Sequence, residues 1–322
     1  MTRVDYEAIR AKRIELDITQ KDLSERSGVN VNIIKQVETG RSNTDEDNLK
    51  AICEVLGLNL DDVYHKDFHD TRVVAVLNNK GGCGKTSLCC GVGSALAEQG
   101  YRVLLIDSDA QRNLSSSFDM PRTPQHFGKA VLQEESLLDY IQPTSYAGID
   151  MIVADVSMGM LDMNIFTKVH RENIVRSILQ PVVEKGWYDY VLIDTNPNLS
   201  LLNFNVVNAC DYCIIPVQPA GFDVDGLGTV VEFIQGVAKY NPKLKIAGIV
   251  INRYDARSRI ISETAVSQLQ QGYGELLFET KIQVDSKLQA SQWENVPILA
   301  YTNSRITKEY RALSKEIVKR CM

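Results

Sequence analysis

One stretch limits what this chain can fold into more than any other: VVAVLNNKGGCGKTSL, at residues 73–88. An apolar run from Val73 to Leu77 breaks into a glycine-rich turn, and a helical pattern begins at Leu88. A short aliphatic run that ends in such a turn is typical of a buried strand. The stretch therefore predicts a strand, a phosphate-binding loop and a helix.

Each residue type in the loop suits a polyphosphate. Glycines let consecutive backbone N–H groups face one centre, and the start of the helix adds free donors and a positive dipole end. Lys85 can reach the β and γ phosphates, and the Thr86 hydroxyl is placed for Mg²⁺. Plain strand-to-helix turns also contain glycines, but the following Gly-Lys-Thr is far more specific. The predicted nucleotide contacts in the loop are Lys80, Gly81, Gly82, Cys83, Gly84, Lys85, Thr86 and Ser87.

A second lysine, Lys80, stands at the entrance of the loop. KGGCGKT resembles the deviant Walker A motif of the ParA/MinD family of ATPases. The resemblance implies that the chain hydrolyses ATP with Mg²⁺, and that Lys80 crosses to the nucleotide of a partner subunit in a homodimer. It makes Lys80 and Lys85 catalytic. The alternative is that Lys80 has no such role and is only a solvated side chain beside the loop.

The bulk composition is that of an ordinary soluble protein. The 322 residues suffice for a large core and a small extra domain, and hydrophobic content is 44%. No apolar run approaches the roughly 18 residues of a membrane span, and the N-terminus does not look like a signal peptide. We therefore expect a cytoplasmic protein without membrane contact.

The cysteines and the net charge exclude other classes. Seven cysteines, an odd number, are scattered among helix and strand patterns, which indicates reduced thiols. Cys210 and Cys213 form a lone CxxC without a second pair, so core packing is favoured over a metal site. A net charge of −6 means that any DNA contact must come from local basic patches.

Residues 4 to about 64 predict short helices only. Thr19 is a plausible N-cap of the second helix and Asn30 of the third. The predicted helices are Tyr6 to Leu16, Gln20 to Ser27, Asn30 to Thr39, Asp45 to Leu56 and a short turn from Leu60 to Tyr64.

This segment resembles the helix-turn-helix domain of the Cro and phage-repressor type. The resemblance rests on the spacing of Thr19, Gln20, Leu23, Gly28, Ile34, Glu38 and Gly40. It implies that the helix after Asn30 enters the major groove. Val31, Asn32 and Gln36 would then contact base edges. Gln20, Lys35 and Arg41 would contact phosphates. The alternative is a domain that only binds a partner protein or aids dimerisation.

The predicted domains are residues 1–66, the helix-turn-helix, and residues 71–322, the ATPase. The connector from His65 to Asp70 is too short for a flexible tether, so we expect a restricted relative orientation.

From Val73 onward strand and helix patterns alternate. Most strand candidates are continuous aliphatic runs, which indicate a mostly parallel sheet covered by helices on both faces. The fold class is thus α/β, a P-loop NTPase preceded by a small all-α domain. The predicted strands are Val73 to Leu77, Arg102 to Ile106, Met151 to Val153, Tyr190 to Ile193, Cys213 to Val217, Ile246 to Ile251 and Leu276 to Phe278.

Carboxylates follow two of these strands, at the sheet edge where ligands gather. The stretch DSDAQRN, at residues 107–113, and Asp194 resemble two further ParA signatures. By that match Asp107 and Asp194 lie at the metal with Thr86, and Asp109 positions and activates the attacking water. The family's usual proline is replaced by Ala110, and Asn196 stands where a small residue or proline is usual.

Two later stretches also follow the family. PVQPAGFDVDGL, at residues 216–227, resembles its dimer-interface switch. Asn252 and Arg253 resemble its adenine-side contact, with the Asn252 amide at the base edge. Turn chemistry alone also explains both stretches. In the C-terminal part, where the pattern continues, Gln289 occupies a position at which glutamate is common.

The last helix has two distinct faces. Ile306, Tyr310, Leu313 and Ile317 share one face. Lys308, Arg311, Lys315 and Lys319 form a row about 16 Å long on the other, which could follow several phosphates of a duplex. A solvated basic face is the alternative, but ParA relatives bind DNA non-specifically on this side.

The resemblance to ParA predicts a partition ATPase. It implies an ATP-bound dimer that binds nucleoid DNA and a ParB-like centromere-binding partner that stimulates hydrolysis. The helix-turn-helix resemblance most simply implies repression of the protein's own operon. The main alternative is a transcriptional regulator whose ATPase domain is only a nucleotide-controlled dimerisation switch. That protein would lose its DNA binding with the first 65 or so residues. A MinD-like membrane ATPase or a nitrogenase-reductase-like role lacks the amphipathic helix or the cluster cysteines it would need.

Overall fold

The computed structural model describes residues 3–39, 44–65, 69–219, 221–255, 257 and 259–322. The chain divides into two compact units. One comprises Met1–His69 with Lys185–Trp187, and the other Asp70–Glu184 with Tyr188–Met322.

The first unit is built mainly from short helices around Leu23, Ile34, Leu49 and Ile52, which are at most 1% exposed. Its elements are β1 (Arg3–Val4), α1 (Tyr6–Glu15), α2 (Gln20–Ser27), α3 (Val31–Glu38), α4 (Glu46–Leu56), α5 (Leu60–Val63) and β2 (Tyr64–His65). The prediction of helices only is wrong at the ends, because β1 and β2 pair antiparallel. Two-residue strands carry no periodicity that a sequence pattern could show.

The predicted caps are present. The Thr19 hydroxyl accepts a hydrogen bond from the Asp22 N–H, and the Asp22 carboxylate accepts one from the Thr19 N–H, which makes a capping box. The Asn30 side chain accepts from the Asn32 N–H at the start of α3. Gly28 ends α2 with φ of 74°, a conformation that glycine adopts without strain. These local bonds fix where the two helices start and stop.

The second unit alternates strands and helices. Its strands are β3 (Arg72–Val76), β4 (Val103–Asp107), β5 (Gln142–Pro143), β6 (Ile149–Ile152), β7 (Tyr190–Asp194), β8 (Tyr212–Val217) and β9 (Lys245–Ile251). Its α-helices are α6 (Lys85–Glu98), α7 (Asn113–Ser117), α8 (Phe127–Gln133), α9 (Leu161–Phe166), α10 (Ile174–Lys185), α11 (Leu201–Asn208), α12 (Gly221–Ala238), α13 (Arg259–Tyr273), α14 (Ser286–Trp293), α15 (Ile298–Tyr301) and α16 (Arg305–Arg320).

The strands form one sheet in the order β5-β6-β4-β7-β3-β8-β9. All neighbouring pairs are parallel except β5 and β6. Alternate residues of β3 enter different cores. Val73 and Ala75 pack with α8 to α12, whereas Val74 and Val76 pack with α6 and α16. The sheet is therefore covered on both faces, and the predicted α/β architecture is confirmed.

Two details at the sheet edges differ from the prediction. Residues Gly274–Leu276 form a 3-10 helix instead of starting a strand, and Leu277 makes only an isolated parallel bridge to Ile249. The short edge strand β5 was not predicted, since Gln142–Pro143 has no apolar alternation and proline is confined to sheet edges.

Sheet order determines which loops meet. β4, β7 and β3 are neighbours, and their carboxyl ends carry Asp107, Asp194 and the glycine loop. Asp107 and Asp194 are register partners on adjacent strands. The three sequence features that were far apart in the chain thus lie at one edge of the sheet.

Candidate functional site

The glycine loop joins β3 to α6 as predicted. Gly82 and Gly84 have φ of 77° and 90°, and Gly84 is the N-cap of α6. Among the described residues, no side chain makes a capping hydrogen bond at this end of the helix. The first amides of α6 are therefore available to an anion at the helix N-terminus.

The two lysines of the loop have different environments. Lys85 is only 7% exposed, and its Nζ donates to the Lys80 carbonyl oxygen at 3.1 Å. The Lys80 side chain is exposed. The buried lysine is thus bonded to the loop backbone, and the exposed one stands at the loop's entrance.

Asn252 is hydrogen-bonded to the backbone of the glycine loop. Its Nδ2 donates to the Cys83 carbonyl oxygen at 2.8 Å, and its Oδ1 accepts from the Arg253 N–H at 3.0 Å. The side chain is 2% exposed. Arg253 Nη1 also donates to the Gly82 carbonyl oxygen at 3.2 Å. Both residues therefore bind the loop backbone, and their contact with a base stays a prediction.

This packing leaves no room for a side chain at Gly84. A Cβ there would lie 2.2 Å from Asn252 Nδ2. We expect Gly84→Ala to lower nucleotide affinity by tenfold or more, because the loop must shift and lose its bond to Asn252. The measurement is titration with a fluorescent ATP analogue.

Gly100→Ala is the matched control for this substitution. Gly100 also has φ of 90°, but a Cβ there meets nothing within 4 Å. The Gly100→Ala substitution should cost about 1 kcal/mol of folding stability and leave nucleotide affinity unchanged. Equal affinities for the two variants would contradict the assigned role of the close approach.

The two strand-end carboxylates are fully buried but differ in their bonding. Asp107 Oδ2 accepts from the Ser115 N–H (2.8 Å) and hydroxyl (2.7 Å), and Oδ1 accepts from the Asp109 N–H (3.1 Å). No well-formed hydrogen bond reaches either oxygen of Asp194 within the described part of the chain, and the Thr86 hydroxyl is the nearby donor that acts on this carboxylate. A buried carboxylate so poorly satisfied beside a phosphate loop is an arrangement that a cation would stabilise.

Burial raises the pKa of both carboxyl groups. The pKa of Asp107 is raised to about 6, and its hydrogen bonds from Ser115 act against the increase. The pKa of Asp194 is raised well above its usual value, first by burial and then by the charge of Asp107. Two ionised carboxylates side by side in this site are therefore costly without a positive charge between or beside them.

Asp109 lies at the mouth of the same site. It is half-buried, and its Oδ1 accepts from the Gln111 N–H at 3.0 Å. It lines a cavity of about 750 Å³ together with Gly81, Lys85 and Thr86. The structure thus brings the predicted loop and the predicted water-positioning residue to one cavity. Asn252, Arg253 and residues of α14 also line this cavity.

Sequence reasoning missed Asn203. This residue of α11 is fully buried, and its Nδ2 donates to the carbonyl oxygens of Asn196 (2.9 Å) and Asn198. Asn196 and Asn198 line the cavity. Asn203 therefore fixes the loop that follows Asp194. The only sequence signal was the repeated asparagine in LLNFNVVN, which matches no motif.

The final helix has the predicted apolar face. Ile306, Tyr310, Leu313 and Ile317 are all 0% exposed. On the other face, Lys308, Lys315 and Lys319 are exposed.

Arg311, on the same face, is engaged with Glu98 of α6. Its Nε lies 2.6 Å from Glu98 Oε2, and its Nη2 lies 3.0 Å from Oε1. The predicted basic row thus keeps its three lysines exposed, while its arginine forms a bidentate ion pair.

In the first unit, α3 presents the predicted polar residues. Asn32, Lys35 and Gln36 are exposed and Val31 is half-buried, while Ile34 on the opposite side is 1% exposed. α3 therefore has a polar outer face of the kind that enters a groove.

Gln20 is turned inward. Its Nε2 donates to Glu38 Oε2 at 2.7 Å, and Glu38 is also paired with Arg13 at 2.5 Å. Glu38 is 6% exposed, and Arg13 and Gln20 together satisfy its charge. Arg41, the last predicted phosphate contact of this domain, lies outside the described residues.

Other kinds of site find no support in the described residues. They include no group of three or more histidine, cysteine or acidic residues that could hold a metal ion. The cysteines are free and buried, and Cys210 and Cys213 are part of the core, as predicted. Within the described ranges no helix combines the length and apolar character needed to cross a membrane.

Comparison with known proteins gives two family matches. Residues 71–246, more than half of the chain, match the family described as an AAA domain. Residues 9–63 match the family described as helix-turn-helix. The helix-turn-helix predicted from the spacing of residues 19–40 is thereby confirmed.

Individual relatives are consistent with these matches. The chain is 31% identical to chromosome partitioning protein ParA of Caulobacter vibrioides over 253 residues, which cover 77% of this chain and 94% of that protein. It is 28% identical to sporulation initiation inhibitor protein Soj of Bacillus subtilis, covering 76% and 98% of the two chains.

A solved structure agrees. Cobyrinic acid a,c-diamide synthase from Mycobacterium smegmatis, crystallised with an ATP analogue and magnesium, superposes with a TM-score of 0.66 at 27% identity, covering 76% of this chain and 93% of that one. Given the glycine loop with its two lysines, the strand-end carboxylates and these matches, the chain belongs to the ParA family of P-loop NTPases and carries a helix-turn-helix domain.

Proposed function

We propose that this protein is an ATP-dependent DNA partition ATPase. The single observation that carries the proposal is the glycine loop, which combines a buried lysine turned into the loop with an exposed lysine at its entrance. A nucleoside triphosphate is the ligand that this loop and the cavity of about 750 Å³ fit.

The site also fits Mg²⁺. Asp194 is fully buried, and the Thr86 hydroxyl in the first turn of α6 is the nearby donor that acts on its carboxylate. Thr86 and Asp194 would hold the ion, and Asp107 would support them from the adjacent strand. When bound, Mg²⁺ neutralises charge on the β and γ phosphates. Since Mg²⁺ keeps several waters, two protein oxygens suffice.

Asp109 is the residue that would hold and activate the attacking water. It lines the cavity, and its bond from the Gln111 N–H fixes the direction of its carboxylate. Lys85 would stabilise the phosphates of its own subunit, and Lys80 those of the partner subunit. Slow intrinsic turnover follows, because no stronger base lies among the predicted catalytic residues.

The dimer would be the form that binds DNA. Closure of two subunits over two nucleotides brings two copies of the α16 lysines onto one particle, which multiplies weak phosphate contacts. Hydrolysis would reopen the dimer and release it from the nucleoid. A ParB-like partner would accelerate that step, and the relative from Caulobacter vibrioides bears the name of a chromosome partitioning protein.

The helix-turn-helix domain would add a specific site, most simply an operator of the protein's own operon. The exposed amides of Asn32 and Gln36 suit adenine edges, and the exposed Lys35 suits a phosphate. A single short helix gives little affinity. Useful binding thus needs two copies on a two-fold site.

One DNA-binding experiment separates the two surfaces. Lys315→Ala with Lys319→Ala should weaken binding to all sequences alike and reduce the salt dependence by about one unit of log–log slope per lysine. Asn32→Ala with Gln36→Ala should lose operator preference and keep non-specific binding. The measurement is fluorescence anisotropy on random and operator-region DNA at several salt concentrations, with and without ATP.

Lys239→Ala with Lys243→Ala is the control for charge, because both lysines are exposed and Lys243 lines a separate cavity near the amino ends of the strands. The rival function, a transcriptional regulator whose ATPase domain is only a dimerisation switch, makes the opposite prediction. In that case the α16 variant binds DNA normally, and the Asn32 and Gln36 variant loses all binding.

A further inference from the structure

The backbone that precedes α14 forms part of the wall of the nucleotide cavity. We name residues 279–285 the wall segment. The Ile282 N–H donates to the Ile251 carbonyl oxygen at 2.9 Å, and Gln283 forms a parallel bridge with Tyr254. The wall segment therefore lies against the carboxyl end of β9. Four of its residues line the cavity: Ile282, Gln283, Val284 and Asp285.

Sheet order places the wall segment on one side of the glycine loop and the carboxylates on the other. β3, which leads into the loop, lies between β7 and β8. Asp107 and Asp194 end β4 and β7 on one side of β3, whereas β9 lies beyond β8 on the other side. A triphosphate on the loop, with its γ-phosphate toward the carboxylates, therefore directs its nucleoside toward β9 and the wall segment.

Two side chains of α16 hold the wall segment where it lines the cavity. Glu309 Oε2 accepts a hydrogen bond from the Gln283 N–H at 2.9 Å. Arg305 Nη2 donates to the Val284 carbonyl oxygen at 3.1 Å. Arg305 and Glu309 also pair with each other, with Nε 3.4 Å from Oε1. Two consecutive residues of the cavity wall are thus bonded through their backbones to one i, i+4 ion pair of α16.

Glu309 is the more sheltered member of this pair. Its side chain is 13% exposed, whereas that of Arg305 is 55% exposed. Burial raises the pKa of Glu309, and the hydrogen bond from the Gln283 N–H and the charge of Arg305 act against the increase. Because little water competes for a sheltered carboxylate, its bond to a backbone N–H is stronger than the same bond at the surface. Glu309 is therefore the residue of α16 that restrains this part of the wall most.

We propose that Glu309 is a positioning residue for the nucleoside part of the bound nucleotide. This inference rests on the proposed function, in which the cavity binds ATP. Within the described part of the chain Glu309 does not itself line the cavity, so it acts through Gln283. The glycine loop holds the phosphates, and Glu309 with Arg305 fixes the wall against which the nucleoside packs. Affinity for the nucleoside thus depends on α16, whereas affinity for the phosphates does not.

The test compares two ligands on the full-length chain, each with Mg²⁺: a non-hydrolysable ATP analogue and inorganic tripolyphosphate. Glu309→Ala should lower affinity for the analogue about tenfold, because the Gln283 N–H loses a charged partner and the wall moves. Affinity for tripolyphosphate should stay at the wild-type value. The ratio of the two affinities, measured by titration calorimetry, separates loss of the nucleoside contact from a general loss of folding.

Two further variants keep the test independent of how well Glu309→Ala folds. Glu309→Gln keeps an oxygen that can accept the Gln283 N–H, so it should recover most of the lost affinity. Arg305→Ala changes a mostly exposed side chain and removes the bond to the Val284 carbonyl oxygen. It should lower the ratio in the same direction as Glu309→Ala.

Glu316→Ala is the matched control. Glu316 lies two helical turns further along α16, and its carboxylate accepts from the N–H groups of Glu279 and Thr280 at 2.8 and 3.0 Å. In the part of the chain that the structure describes, these two residues of the wall segment do not line the cavity. The control removes the same kind of bond between the same helix and the same segment. Its affinity ratio should equal that of the wild type.

A lower ratio in the Glu309→Ala and Arg305→Ala variants, with a wild-type ratio in Glu316→Ala, supports the positioning role. A wild-type ratio in Glu309→Ala overturns it and leaves the proposed function standing, and so does a ratio that falls equally in Glu316→Ala. A wild-type chain that binds neither ligand contradicts the nucleotide site itself, and the proposed function fails with it.

Discussion

Lys80→Ala should abolish ATP-dependent dimers while leaving ATP bound to each subunit. The exposed Lys80 ammonium is proposed to neutralise phosphate charge in the partner subunit. A charge-assisted hydrogen bond contributes about 1.5–3 kcal/mol, and a two-fold dimer contains two of them. The expected loss of dimer affinity is therefore on the order of 10²- to 10⁴-fold. Light scattering with a non-hydrolysable ATP analogue and Mg²⁺ measures it.

The structure explains why this substitution should spare the nucleotide site. Lys85 Nζ is bonded to the carbonyl oxygen of Lys80, and alanine keeps that carbonyl. Lys85→Ala is the contrasting variant, since it removes the buried ammonium and should lower nucleotide affinity itself. Dimers of normal affinity in Lys80→Ala would remove the cross-subunit role of the lysine.

Asp109→Asn should reduce ATP turnover by about 10²- to 10⁴-fold, the usual contribution of a positioned base. Asparagine keeps an oxygen that can accept the Gln111 N–H, which Asp109 Oδ1 accepts at 3.0 Å, so the loop geometry should survive. The charge that activates water is lost. Nucleotide binding and dimerisation should continue, and the dimer should stay on DNA. Phosphate release and the lifetime of the DNA complex are the measurements.

Asp119→Asn is the control for this substitution. Asp119 is an exposed acid of the same segment, and its φ of 52° is one that asparagine tolerates well. Turnover in Asp119→Asn should equal that of the wild type. If Asp109→Asn also turns over at the wild-type rate, Asp109 does not activate the water.

Local features of the sequence predicted local structure well. The bounds of α2 match the prediction. They are set by a capping box at its start and by Gly28 at its end, which are both short sequence signals. The strands β3, β4, β7 and β8 were found because each is a nearly unbroken aliphatic run. The strands that were not predicted were missed for a physical reason. β1 and β2 pair Arg3 with His65, and two residues are too few for a pattern.

Contacts between residues that are far apart in the chain could not be predicted from the sequence. Arg311 and Glu98 are 213 positions apart, so a helical wheel assigned the arginine to the basic row without showing its partner. The Asn252 amide meets the Cys83 carbonyl oxygen across 169 positions. Such pairs depend on how α16 and β9 pack against α6 and the loop.

What the sequence determined alone is the chemistry of the site: a phosphate loop with two lysines, carboxylates at strand ends and a helix-turn-helix. These follow from residue types at short spacings, where the backbone has few choices. Only the tertiary structure decided which of these groups are already bonded. It buried Asp194 beside the loop, occupied Arg311 with Glu98 and turned Gln20 toward Glu38. Packing between elements distant in the chain sets burial and pairing, and no local pattern contains that information.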